Sequence, residues 1–121
     1  MDVGGRIDLG QLPIVVRDDG VEIRATEAGA MTVALVRLAK GHDARPLFKG
    51  LPDDLCQCPH WGYIIKGSLR VWTADGASVV SAGQAFYWPS GHAPEALEEA
   101  EFLEISPTED LRALYAHLAG L

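Results

Sequence analysis

Short runs of strand-forming residues follow one another along this chain, and glycine, proline or an Asp-Gly pair closes almost every run. Residues 21–25 alternate apolar with polar side chains, as a half-buried strand does, and Asp19 and Gly20 before them are typical of a hairpin turn. Further runs of this kind occupy residues 13–16, 31–38, 61–72, 79–80, 86–88 and 101–105. Strands this short and this regularly interrupted predict an all-β sandwich or barrel.

The end of the chain follows a different pattern. Residues 106–110 read Ser-Pro-Thr-Glu-Asp, which places two acids at a helix start. Leu111, Leu114, Tyr115 and Leu118 then recur at helical spacing. We therefore expect a short C-terminal α-helix at about residues 108–119, packed through this stripe on a barrel core of about residues 20–106. A chain of 121 residues can bury one such core, so residues 1–121 are predicted to form a single domain.

The net charge of −7 at neutral pH argues against two classes of partner. Nucleic acids and anionic membrane surfaces both require a basic face, which this composition does not supply. No apolar run approaches the roughly 18 residues that are needed to cross a bilayer. The first residues show neither the basic nor the apolar region of a secretory signal. We therefore expect a cytoplasmic protein.

Both cysteines and one of the four histidines lie within five residues, at Cys56, Cys58 and His60. A further histidine, His92, follows a Pro-Ser-Gly turn at residues 89–91. Thiolate sulfur and imidazole nitrogen are the ligands that zinc and other borderline-soft metals prefer. A disulfide between cysteines two residues apart would close a tight ring and is disfavoured in a reducing cytoplasm. The expected cofactor is a divalent transition metal, with zinc first and iron, manganese or copper as alternatives. The alternative interpretation is that both cysteines are ordinary buried thiols that bind no metal.

Two segments resemble the paired motifs of the cupin superfamily, whose members are jelly-roll β-barrels. The first family motif is G-x5-H-x-H-x3,4-E-x6-G, and the second is G-x5-P-x-G-x2-H-x3-N. Gly83, Pro89 and Gly91 match the second motif in type and spacing, and Gly67 matches the final glycine of the first. The resemblance covers about residues 30–106. This resemblance implies a cupin-like jelly-roll barrel. In addition, the Cys-x-Cys-Pro-His-Trp-Gly segment is similar to one carried by small bacterial cupins.

The ligand positions of the family are occupied differently here. Counting back from the final glycine of the first motif puts His60 at the glutamate position, with Cys56 and Asp54 at the two histidine positions. The histidine position of the second motif is Pro94, and His92 lies two residues earlier. The three-histidine, one-glutamate iron site of the family therefore cannot be carried over residue by residue.

Four residues are the candidate metal ligands: Cys56, Cys58, His60 and His92. Residues 54, 56, 58 and 60 share one face of an extended strand, although Pro59 bends the chain and leaves the choice between the two thiols open. Two cysteines with two histidines would close a tetrahedral structural zinc site. One cysteine with two histidines would instead leave a coordination position open for water or substrate.

Aromatic residues near these ligands are the candidates for a small-molecule pocket. The residues expected to line it are Tyr63, Phe86 and Trp88. Glu101 and Glu104 lie on the last strand with opposite facing, so one of them could face the barrel interior. Glu104 would do so only if Leu103 and Ile105 faced outward. An inward acid beside a metal would be the natural general base.

Two functions remain open at this stage. The first is a metalloenzyme that acts on a small organic molecule at the Cys/His-ligated metal in the barrel. The alternative is a non-catalytic ligand-binding or sensing module, in which a structural zinc site stiffens the barrel. The fold hosts both kinds of protein, so the fold does not choose between them. Open barrel edges are commonly paired across a two-fold axis, so we also expect a homodimer.

Overall fold

The computed structural model describes residues 4–121. These residues form nine β-strands, three short 3-10 helices and one α-helix. The strands are β1 (Ile14–Asp18), β2 (Val21–Ala28), β3 (Met31–Leu38), β4 (His60–Lys66), β5 (Ser68–Thr73), β6 (Gly76–Ser81), β7 (Ala85–Trp88), β8 (Ala93–Ala96) and β9 (Ala100–Pro107). The 3-10 helices are Leu9–Gln11, Arg45–Phe48 and Pro52–Asp54, and α1 is Thr108–Ala119.

The strands form two antiparallel sheets. The larger sheet has the order β1-β2-β3-β9-β4-β7, and the smaller has the order β6-β5-β8. β9, the last strand in sequence, lies in the middle of the larger sheet between β3 and β4. This return of the chain between earlier strands is the crossover expected of a jelly roll. The predicted all-β architecture with one C-terminal helix is confirmed.

The main core fills the space between the two sheets. Alternate residues of β9 point into it, so that Ala100, Phe102, Glu104 and Ser106 are all buried. Their strand neighbours Leu103 and Ile105 lie only half-buried on the other face of the sheet. Aliphatic and aromatic side chains from both sheets supply the rest of this core: Val21, Ala25, Ala34, Val36, Leu38, Ile64, Leu69, Val71, Trp88 and Ala96.

A second, smaller core lies beneath α1. Phe48, Leu55 and Leu111 pack there around both cysteines, and Leu114 and Leu118 of the predicted helical stripe join them. The N-cap residue Pro107 makes no side-chain cap, and the Thr108 amide donates instead to the Ala30 carbonyl oxygen at 3.0 Å. The first turn of α1 is attached to the sheet by a buried hydroxyl pair, in which Thr32 Oγ1 and Thr108 Oγ1 are 2.8 Å apart. These contacts hold the helix over one end of the barrel.

Gly62 allows the strands beside the site to approach closely. It occupies an inward position of β4, opposite Glu104 of β9 and Phe86 of β7. A Cβ atom at this position would overlap the carbonyl oxygen of Leu103 and the ring of Phe86. Only glycine therefore fits at this position without a shift of the neighbouring strands.

Among residues 4–121, no helix is both long and apolar enough to span a lipid bilayer.

Candidate metal centre

Three of the four predicted ligands meet at one end of the barrel interior. His60 is the first residue of β4, while Cys56 and His92 lie in the loops that precede β4 and β8. Cys56 and His92 form an isolated antiparallel bridge, in which the Cys56 amide donates to the His92 carbonyl at 2.8 Å. The metal-binding atoms of the three side chains all lie within 4.8 Å of one another.

The spacing of these donors suits a tetrahedral ion. Cys56 Sγ lies 3.7 Å from His60 Nε2, and the two imidazole ring centres are 4.9 Å apart. Bond lengths of about 2.3 Å to sulfur and about 2.0 Å to nitrogen place two tetrahedral ligand atoms roughly 3.5 Å apart. The donor set present therefore fits a small transition-metal ion without rearrangement of the backbone.

Hydrogen bonds at the Nδ1 atoms orient both imidazoles. His92 Nδ1 lies 2.9 Å from the Pro89 carbonyl oxygen, which can only accept, so this nitrogen carries the proton. His60 Nδ1 lies 2.6 Å from Ser106 Oγ and 3.3 Å from a carboxyl oxygen of Glu104. With the proton on Nδ1, each ring presents an unprotonated Nε2, the arrangement that hydrogen-bonded metal ligands show in proteins.

Burial controls the protonation of the donors. It lowers the pKa of His92 to about 4, and burial together with the nearby His92 lowers the pKa of His60 well below its usual value. Both rings are therefore neutral at physiological pH, which is their ligand form. Burial raises the pKa of the Cys56 thiol, so without a cation this sulfur keeps its proton. A bound cation would reverse that preference, because a coordinated thiol loses its proton.

Cys58 is buried but lies outside this group. Its sulfur contacts the Pro59 carbonyl oxygen at 3.5 Å and packs in the smaller core beneath α1. Burial is the main cause that raises the pKa of this thiol to about 12. The structure thus places one cysteine with the two histidines and turns the other towards α1.

A cavity of about 310 Å³ adjoins the three donors, and Cys56, His60 and His92 all form part of its wall. Of the three predicted pocket residues, Trp88 lines this cavity. Phe86 stacks on Trp88 with ring centres 3.9 Å apart and packs in the core behind it. Tyr63 lies on the outer face of the sheet and is 44% exposed, because it is an odd number of residues from inward-facing His60.

Glu104 faces the interior and contributes to the cavity wall beside His60. The condition set from the sequence is met, since its neighbours Leu103 and Ile105 face the other side of the sheet. Burial raises the pKa of this carboxyl to about 8. Two further members of the site were not singled out beforehand: Ser106, which bonds His60, and Tyr115, which lines the cavity from α1. The even spacing from Glu104 could have indicated Ser106.

Comparisons with known proteins identify the fold. An RmlC-like cupin from Shewanella frigidimarina NCIMB 400 matches with a TM-score of 0.63 and 17% identity, over 92% of this chain and 99% of that chain. KdgF from a Halomonas species matches with a TM-score of 0.62 and 17% identity, over 87% and 94%. Oxalate decarboxylase OxdC from Bacillus subtilis, in a variant form, matches with a TM-score of 0.62 and 24% identity, over 88% of this chain. The chain spans only 31% of that enzyme's length. No family model matches the chain, and no curated protein matches it.

The fold is that of the cupins, and the cluster of one cysteine and two histidines at the end of its barrel is a possible metal site. The matches cover nearly all of the two shorter neighbours and about a third of the oxalate decarboxylase.

Proposed function

We propose that this protein binds one divalent transition metal through Cys56, His60 and His92 and acts on a small organic molecule in the adjoining cavity. The observation that carries the proposal is that the three donors are spaced for one ion and also form the wall of the cavity. Three protein ligands leave a tetrahedral ion with one position free. An ion bound in this way supplies a Lewis acid that polarises a carbonyl group or lowers the pKa of a water molecule.

The donor types favour zinc over the other metals. One thiolate and two imidazoles form a mixed sulfur and nitrogen set, of the kind found in catalytic zinc sites. Manganese is held best by oxygen ligands. The oxalate decarboxylase among the structural neighbours has Mn(II) centres, and the sulfur donor at Cys56 is the reason for not extending that metal to this chain.

The alternative function, a binding module with a closed zinc site, requires Cys58 as a fourth ligand. The sulfur of Cys58 contacts the Pro59 carbonyl oxygen, and Cys58 lies outside the group formed by the three donors. A closed site would need this thiol to leave Pro59 and rotate towards His60. We therefore take the open site as the working assignment.

The test is elemental analysis of the purified protein, compared with two isosteric variants, Cys56→Ser and Cys58→Ser. The open site predicts about one metal ion per chain in the wild type and in Cys58→Ser, and loss of the metal in Cys56→Ser. Equal and complete loss of metal in both variants would establish the closed site, and full metal retention in Cys56→Ser would refute the ligand assignment.

A further inference from the structure

We infer that the cavity binds a compact molecule with an apolar body, whose polar group lies between the carboxyl of Glu104 and the three metal-binding side chains. The position of the polar group rests on the proposed function, whereas the apolar character of the body rests on the cavity wall alone.

The wall of the cavity is mainly hydrocarbon. Side chains from the interior of the larger sheet form one side of it: Val16, Val21, Ile23, Val36, Leu38 and Phe102. The loop after β3 and the helix α1 form the opposite side: Ala44, Leu47, Phe48, Leu114 and Leu118. The volume has room for about ten water-sized groups, at roughly 30 Å³ each. Displacing water from such a surface is favourable for an apolar group of similar size.

Glu104 is a carboxyl group of the cavity wall that lies beside the three donors. Its side chain is 10% exposed, and its neighbours across the strands are the small residues Ala34 and Gly62. In the part of the chain that the structure describes, its one polar contact is with His60 Nδ1 at 3.3 Å, and Ser106 lies closer to that nitrogen. Buried polar groups are nearly always hydrogen-bonded. A group on the ligand, held beside the metal, would complete the bonding of this carboxyl.

Two other wall residues support a ligand with hydrogen-bonding capacity. Within residues 4–121, His42 Nε2 and the Tyr115 hydroxyl are buried without a hydrogen-bond partner, and both residues line this cavity. Each such group costs about 1–3 kcal/mol when it is left unpaired in the folded state. Two unpaired polar atoms and an inward-facing carboxyl around one apolar cavity are more consistent with a binding site than with a packing defect.

The experiment measures calorimetrically how acetohydroxamate and benzohydroxamate bind to the zinc-loaded protein. Both probes carry the same metal-binding head and differ in the apolar body. We expect benzohydroxamate to bind about tenfold more tightly than acetohydroxamate or better, because its ring enters the cavity.

Three variants test whether the cavity is the site of the ring. Val36→Phe fills the cavity and is expected to abolish the difference in affinity between the two probes. The matched variant Val79→Phe, at an exposed position of β6, is expected to preserve it. Leu118→Phe fills the cavity from α1 if Val36→Phe does not fold.

The outcomes separate the two proposals. If acetohydroxamate does not bind to the zinc-loaded protein, the open metal site of the proposed function is refuted. If acetohydroxamate binds but the ring adds nothing, or if filling the cavity leaves the difference intact, the apolar cavity is refuted as the ligand site. Glu104→Ala, loaded with zinc to the same stoichiometry as the wild type, is expected to bind both probes more weakly by a similar factor, about fivefold or more. Unchanged affinity in that variant would overturn the role of Glu104.

Discussion

The Nδ1 atom of His60 lies 2.6 Å from the hydroxyl oxygen of Ser106, across the pairing of β4 with β9. Ser106 is 1% exposed, so water does not replace this hydrogen bond when it is removed. With the proton on Nδ1 and the hydroxyl as its acceptor, Nε2 of His60 is free to bind a metal, and it faces Cys56 Sγ at 3.7 Å.

Ser106→Ala is therefore expected to lower metal affinity without removing a ligand. Loss of a hydrogen-bonding partner of a ligating histidine typically costs about 10- to 100-fold in affinity. Competition with a chromophoric chelator measures the change. Ser81→Ala, in β6 of the smaller sheet, is the matched control and should bind metal like the wild type. Equal affinities of the Ser106 and Ser81 variants would show that His60 is oriented by its packing alone.

Metal binding is expected to release protons, with the thiol of Cys56 as one source. The thiol is protonated in the metal-free protein because burial raises its pKa, whereas both histidines are already neutral because burial lowers theirs. Affinity should therefore rise with pH, by about tenfold per pH unit for each proton displaced. Calorimetry in buffers of different ionisation enthalpy counts the protons. The wild type and Cys58→Ser should release the same number; one proton fewer in Cys58→Ser would mean that Cys58 also ligates.

The sequence predicted the architecture well, because turn residues and alternation are local properties. The same alternation failed between residues 56 and 60. Strand β4 begins only at His60, and the preceding residues pass through Pro59 and a single bridge at Cys56. Period-two geometry does not extend through such a segment, so parity could not decide which thiol joins His60.

Within regular strands, alternation gives the orientation of each side chain once the orientation of one residue in the strand is known. Because His60 faces inward, Tyr63 three residues later faces outward. The prediction that Tyr63 lines the pocket did not take this alternation into account, whereas the prediction for Trp88 did. The orientation of Glu104 could be stated only as a condition, because the sequence does not show which face of β9 is covered. Contacts of α1 with the cavity, such as that of Tyr115, depend on the angle at which the helix lies on the barrel, which no local pattern encodes.

Gly62→Ala is expected to destabilise the fold severely. The added Cβ would overlap the Leu103 carbonyl oxygen and the ring of Phe86, so β4 would have to separate from its neighbours. Overpacking of this kind typically costs about 1–3 kcal/mol, and more where backbone must move. Urea unfolding measures the loss. Gly10→Ala is the matched control, since a Cβ there meets open space and should leave the unfolding free energy nearly unchanged. Similar stability of the two variants would contradict the close approach of β4 and β9.

Tyr115→Phe is expected to leave the ligand-free protein as stable as the wild type or more stable. The Tyr115 hydroxyl is buried without a hydrogen-bond partner, so its removal relieves an unpaired polar group. Thr108→Val is the contrasting variant: it deletes a hydroxyl that bonds Thr32 at 2.8 Å and leaves that partner unsatisfied. Thr108→Val should therefore lose about 1–3 kcal/mol of unfolding free energy. Urea unfolding of both variants makes the comparison. A loss in Tyr115→Phe as large as that in Thr108→Val would mean that the hydroxyl has a partner in the ligand-free protein. The hydroxyl would then not be available to a molecule in the cavity, and the number of polar groups free to bind one would fall.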